Sequence, residues 1–209
     1  VRVPIQSPIE ALVIDGKVIS WGWGFSPSGD ELVRYESVDG LSFNKVDIPK
    51  LLSKDCIDEV GNTLDILGDP AITQLNDGSW LMHAQELKSK VGDFNRRACV
   101  ATSSDGLTWT FVTDRIYGGE IDVTTNPTIH LSSMGFVEWI WPTFDAMLYR
   151  SSKDGKNWSS KEYLPSAGDP DFLDLEDGTQ LLSFGNFNPR QGGVLIFTKR
   201  VTTNYSIPV

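Results

Sequence analysis

The chain has 209 residues, of which 22% are charged and 40% hydrophobic, with 19 Gly and 11 Pro; this describes a turn-rich globular protein able to bury a core, not a disordered segment. A formal net charge of −10 argues against nucleic acid or an anionic membrane surface as partner, because both need clustered Lys and Arg. No apolar run approaches the roughly 20 residues of a membrane span, so a neutral or cationic partner is expected.

Taken in chain order, four segments align without a gap: "SPIEALVIDGKVISWGWGF" from Ser7, "DPAITQLNDGSWLMHAQEL" from Asp69, "NPTIHLSSMGFVEWIWPTF" from Asn126 and "DPDFLDLEDGTQLLSFGNF" from Asp169. Each opens on a small polar residue and Pro and carries Gly in its tenth position. Pro lacks an N–H and suits the first residue of a strand, where no ladder bond is lost. Asp-Gly at 15-16, 77-78 and 177-178, with Met134-Gly135 as the weaker copy, suits a tight turn. Each segment is therefore predicted to be a β-hairpin.

Three hairpins are followed by a further strand, "ELVRYES", "RACVATS" or "AMLYRS", then by S-x-D-G-x-x-[W/F] at 37–43, 103–109 and 152–158, then by "NKVDIP", "TFVTDRI" or "SKEYLP". The unit is four antiparallel strands, repeated. The stretch 48–67 is expected to hold one helical turn or an extended insertion. Cys56 and Cys99 suffice for one disulfide in a secreted protein, and Asn157-Trp158-Ser159 and Asn204-Tyr205-Ser206 are glycosylation sequons.

Repeated units of this length suggest a single all-β domain, a β-propeller of four-stranded antiparallel blades with repeats starting near 7, 69, 126 and 169. Four blades are detected and five is the alternative; Val1–Ile5 or 206–209 would supply the last outer strand, the termini closing the ring. The S-x-D-G-x-x-W motif resembles the Asp box of sialidases and related propellers, and the "DP…DG" openings resemble the five-bladed glycosidases of the arabinanase and fructosidase type.

That architecture sorts the carboxylates. Asp39, Asp105 and Asp154 are expected to accept backbone hydrogen bonds within their own turns, and Phe43, Trp109 and Trp158 to tuck between sheets. On the opposite face, strand entries present Asp69, Asp169 and Asp171, with Ser7 and Asn126 at the equivalent positions. Loops between second and third strands add Trp23, Gln85, Glu86, Asn186 and Arg190, and Glu120 precedes the third entry.

A glycosidase needs one carboxyl group that stays protonated and one that is ionised, about 5 to 9 Å apart depending on mechanism. The arabinanase-like resemblance implies an Asp base and a pKa-tuning Asp at inner-strand entries. Asp69 and Asp169 match that pattern, with Glu86 or Glu120 as candidate acid. Asp171, Trp23, Gln85, Asn186, Glu120 and Arg190 are candidate ligand contacts, Trp23 by stacking on a sugar ring. The sialidase resemblance would require an arginine triad, but Arg34 and Arg150 precede the box motif in third strands and read as repeat features. His83 and His130 lack metal-ligand spacing; no cofactor is called for, and an axial calcium ion is the one metal kept open.

The reading is a secreted or extracytoplasmic, monomeric, carbohydrate-recognising propeller that hydrolyses neutral glycans through paired carboxylates at a central mouth. The alternative is a non-catalytic lectin-like or protein-interaction propeller on the same architecture.

Overall fold

The computed structural model describes residues 10–26, 29–57, 63, 67–86, 97–112, 117–118, 127–143, 146–165, 168–175, 177, 179–185 and 196–200. The described residues form strands and one 3-10 turn, Ser53–Asp55, in the stretch where a single helical turn was expected. No helix among them is long and apolar enough to cross a membrane. Two compact units divide the chain, Val1–Thr124 and Thr125–Val209.

The first unit holds two antiparallel sheets. One is ordered β1 (Glu10–Ile14), β2 (Lys17–Ser26), β3 (Gly29–Ser37), β4 (Asn44–Val46); the other is β5 (Leu67–Gln74), β6 (Trp80–Glu86), β7 (Arg97–Ser103), β8 (Trp109–Phe111), with β9 (Tyr117–Gly118) also pairing with β7. The second unit holds β10 (Thr128–Leu131), β11 (Val137–Pro142), β12 (Ala146–Ser152) and β13 (Glu162–Pro165) in one sheet, and β14 (Gly168–Asp174), β15 (Gln180–Gly185) and β16 (Ile196–Arg200) in another.

The repeat is physical as well as textual. Two residues past the turn glycine, Val18, Trp80 and Val137 each face the serine that opens the next S-x-D-G turn: Ser37, Ser103 and Ser152. The first turn is a two-residue loop, Ile14 pairing with Lys17, with Asp15 at φ 49° and Gly16 at φ 74°, the left-handed pair that an Asp-Gly hairpin turn requires. The next two are longer by one residue, closed by Leu75 N–H to Ser79 O at 2.7 Å and Ser132 N–H to Phe136 O at 2.8 Å.

The register separates Arg34 from Arg150, which the sequence reading pairs as repeat features. Arg34 lies three residues before Ser37 and faces Trp21, whereas Arg150 lies two before Ser152 and faces Trp139. A one-residue offset puts them on opposite faces of their sheets. Arg34 accordingly lies 5.5 Å over the Trp21 ring and pairs with Glu36 at 2.6 Å, while Arg150 donates to Ser159 O at 2.9 Å. Burial lowers the Arg34 pKa, opposed by the nearby charges of Glu36 and Asp105.

All three S-x-D-G turns share one hydrogen-bond pattern. Asp39 Oδ1 accepts from Leu41 and Ser42 N–H, both at 2.8 Å, and from the Ser37 hydroxyl at 2.9 Å. Asp105 repeats this with Leu107, Thr108 and Ser103, and Asp154 with Lys156, Asn157 and Ser152. Backbone N–H donors stabilise the ionised form, holding Asp39 and Asp105 down at about 2 and Asp154 well below the usual carboxylate range. Because the folded pKa is depressed, this stabilisation is complete above the ordinary value of 3.8 and lost as pH falls through about 2. The denaturation midpoint is therefore expected to fall between pH 4 and pH 2 in wild type, and less steeply in Asp39→Asn and Asp105→Asn; parallel slopes would contradict the assignment.

Apolar alternation supplies the packing. In the first unit Ile19, Trp21, Trp23, Leu32, Ile72, Trp80, Met82 and Trp109 form one buried cluster, with Trp21 and Trp80 rings 5.5 Å apart. Cys56, just after the 3-10 turn, is disulfide-bonded to Cys99 on β7, 43 residues away. In the second unit Ile140, Met147, Tyr149, Phe172 and Leu182 pack together. Beside them runs a polar chain, buried at Glu138 and Gln180 and half-buried at Asp174 and His130: Tyr149 donates to Glu138 at 2.7 Å, Gln180 donates to both Glu138 and Asp174, and Asp174 bonds His130 Nε2 at 3.1 Å.

Candidate functional site

The two Asp-Pro openings do not start their strands. Leu67 and Gly68 already pair with Glu86 and Gln85, and pairing resumes at Ala71 with His83, so Asp69 and Pro70 together face Ala84. In the fourth sheet Gly168 pairs with Gly185 and Asp171 with Ser183, leaving Asp169 and Pro170 opposite Phe184. Two residues against one is a β-bulge. It accommodates Pro inside the strand, correcting the expectation of a strand-initial Pro: the residue without an N–H occupies the position where the ladder is already interrupted.

The bulge forces an uncommon backbone. Asp69 and Asp169 sit at φ 47° and 46°, and besides the turn residue Asp15 they are the non-glycine residues with positive φ among those described. Asp tolerates the left-handed region better than most residues, but a following Pro favours extended conformations, so the pre-proline preference is overridden at both sites. The neighbouring glycine marks both sites in the sequence: Gly-Asp-Pro occurs at 68–70 and 168–170, whereas Gln6 and Thr125 precede the equivalent Ser7-Pro8 and Asn126-Pro127.

Side-chain surroundings then separate the two aspartates. Asp69 is buried, and its Oδ2 accepts a hydrogen bond from Gln85 Nε2 at 2.6 Å. Asp169 is exposed. Asp171, two residues on, is also solvent-accessible, yet protein crowding raises its carboxyl above the ordinary 3.8 against the opposing Phe172 N–H bond and the His130 charge.

Trp23 is 1% exposed and belongs to the core cluster of the first unit. This corrects its expected stacking role, since a ring enclosed on both faces presents no platform to a sugar. Sequence reasoning missed Asp30, at the start of β3 opposite Phe25, whose carboxyl is raised by burial. Its signal was available: it follows the connection between second and third strands, whereas Gln85 precedes the corresponding connection. The backbone of Glu86 pairs with Leu67, its side chain lying outside the described residues together with Ser7, Glu120, Asn126, Asn186 and Arg190. Among the described residues no group of three His, Cys, Asp or Glu side chains is arranged to hold a metal ion.

No family model matches the chain, and neither does any curated protein. Solved structures do match. An α-L-arabinanase of Penicillium chrysogenum complexed with arabinobiose is 18% identical at a TM-score of 0.64, covering 96% of this chain and 64% of that one. A GH43 β-1,3-galactosidase with galactodeoxynojirimycin is 14% identical at 0.63, covering 85% and 68%. A glycosyl hydrolase from Bacteroides ovatus is 17% identical at 0.56, covering 87% and 61%. The chain thus spans about three fifths of the length of these structures. The likeness is one of fold, and the fold is that of the glycosidase-type β-propellers.

Proposed function

We propose that the chain recognises a neutral glycan and hydrolyses its glycosidic bond, with Asp69 as a reacting carboxylate and Asp169 as its repeat-equivalent candidate. The single observation that carries this is the repeated bulge, which holds two aspartates at φ 47° and 46° where glycine would be unstrained. Strained backbone of this kind costs about 1–3 kcal/mol and clusters at functional sites, and bulges re-aim side chains there. The scaffold needs neither aspartate for its turns, which Asp15, Asp77 and Asp177 serve.

The chemistry follows from charge. An ionised carboxylate can attack the anomeric carbon or deprotonate a water, while a protonated one donates to the departing oxygen. Asp69, fixed by an amide donor, suits the ionised role. The protonated role falls to a carboxyl kept neutral by its surroundings, with Glu86 and Glu120 as candidates. A net charge of −10 favours a neutral glycan over an anionic one. The Cys56–Cys99 disulfide supports a secreted or extracytoplasmic location.

The test is a panel of aryl arabinofuranosides, galactopyranosides and mannopyranosides, run beside a glycan array. Turnover of at least one glycoside is expected; glycan binding with no turnover would instead support the lectin-like alternative, and the absence of both turnover and binding would overturn the glycan reading.

A further inference from the structure

Asp69 and Asp169 share a bulge, a φ value and a flanking Gly and Pro, but the residue opposite each glycine differs: Gln85 faces Gly68, and Gly185 faces Gly168. The Gln85 amide reaches across the bulge to Asp69 Oδ2 at 2.6 Å, and it is 0% exposed while Asp69 is 7% exposed. Gly185 has no side chain with which to make that bond.

We propose that Gln85 is a positioning residue for Asp69, holding its carboxylate in one orientation, and that the change from Gln to Gly at the ladder pair next to the bulge divides two otherwise equivalent aspartates into one fixed and one solvated group. This rests on the reading of Asp69 as a reacting group. A carboxylate on a bulge can rotate about two side-chain torsions; an amide anchored on the facing strand removes that freedom before substrate arrives. The amide is neutral and donates through N–H, so it favours the ionised form without adding charge. His83, two residues earlier and therefore on the same face of β6, is the other titratable side chain on that strand face among the described residues.

Three variants separate the possibilities. Gln85→Leu keeps most of the volume and removes the donor; Gln85→Glu restores a donor only when protonated; Asp69→Asn tests the underlying reading. On the aryl glycoside that wild type turns over, Gln85→Leu is expected to lower kcat roughly 10- to 100-fold with KM within about twofold. Gln85→Glu should recover part of that loss as pH is lowered. The titration of the Asp69 carboxyl carbon, followed by carbon-13 NMR, is expected to move upward in Gln85→Leu. An unchanged Asp69 titration and unchanged kcat in a folded Gln85→Leu protein would overturn the positioning role. Full turnover in Asp69→Asn would instead overturn the catalytic reading while leaving the NMR comparison valid. If Gln85→Leu does not fold, Gln85→Glu across pH decides: pH-independent behaviour counts against the proposal.

Discussion

Asp69→Asn is expected to fold with a denaturation midpoint close to wild type and to lose roughly 10²–10⁴-fold in glycoside turnover, the usual contribution of a positioned acid or base. The substitution is chosen for what it preserves. Asn is, with Asp, among the residues most tolerant of the left-handed region that Asp69 occupies at φ 47°. Its side-chain oxygen can still accept the Gln85 N–H that Asp69 accepts at 2.6 Å. What it removes is the charge and the ability to exchange a proton. Steady-state kinetics beside a guanidinium titration give the answer: equal stability with lost turnover places the role in chemistry, whereas lost stability with retained turnover returns Asp69 to the scaffold.

The second large effect lies in the first unit. Cys56→Ser or Cys99→Ser is expected to lower its stability by about 4 kcal/mol, the chain-entropy value for a cross-link closing a loop of this length, the two cysteines being 43 residues apart. The bond ties the segment 51–56, which contains the 3-10 turn, to β7 at the centre of the second sheet. Without it, the main described links from that segment are the Leu32 N–H bond to Leu51 O at 2.9 Å, the Leu67 N–H bond to Ser53 Oγ at 3.1 Å and the burial of Leu51 at 5% exposure. Chemical denaturation with and without reductant measures the difference in wild type, and neither serine variant should respond to reductant. Equal midpoints in both conditions would show that the cross-link contributes nothing.

Short-range chemistry is what made the repeats legible. An S-x-D-G turn is decided by one carboxylate and N–H donors two and three residues away, and an Asp-Gly hairpin by its own φ preferences, so the pattern along the chain sufficed. Features set by strand register did not show. Arg34 and Arg150 precede the same motif, yet a single-residue offset sends one over Trp21 and the other to Ser159. Trp21 and Trp23 are two residues apart on β2 and so share one face of their sheet, but that spacing cannot say that the face is covered at both positions. The bulge was hidden for a related reason. Local preference places a residue before Pro in extended backbone, and only the facing strand, with its ladder broken between Gly68 and Ala71, enforces the left-handed alternative.

The central claim is that the bulged aspartates are kept for chemistry at some cost to the scaffold. Asp169→Gly tests it most directly, because Asp169 is exposed and glycine adopts φ near 46° without strain. Guanidinium unfolding and glycoside turnover are to be measured on the same preparation. The account predicts stability equal to wild type or higher by up to about 1 kcal/mol, with turnover lowered by at least about 100-fold. A variant that loses stability and keeps full turnover would contradict it.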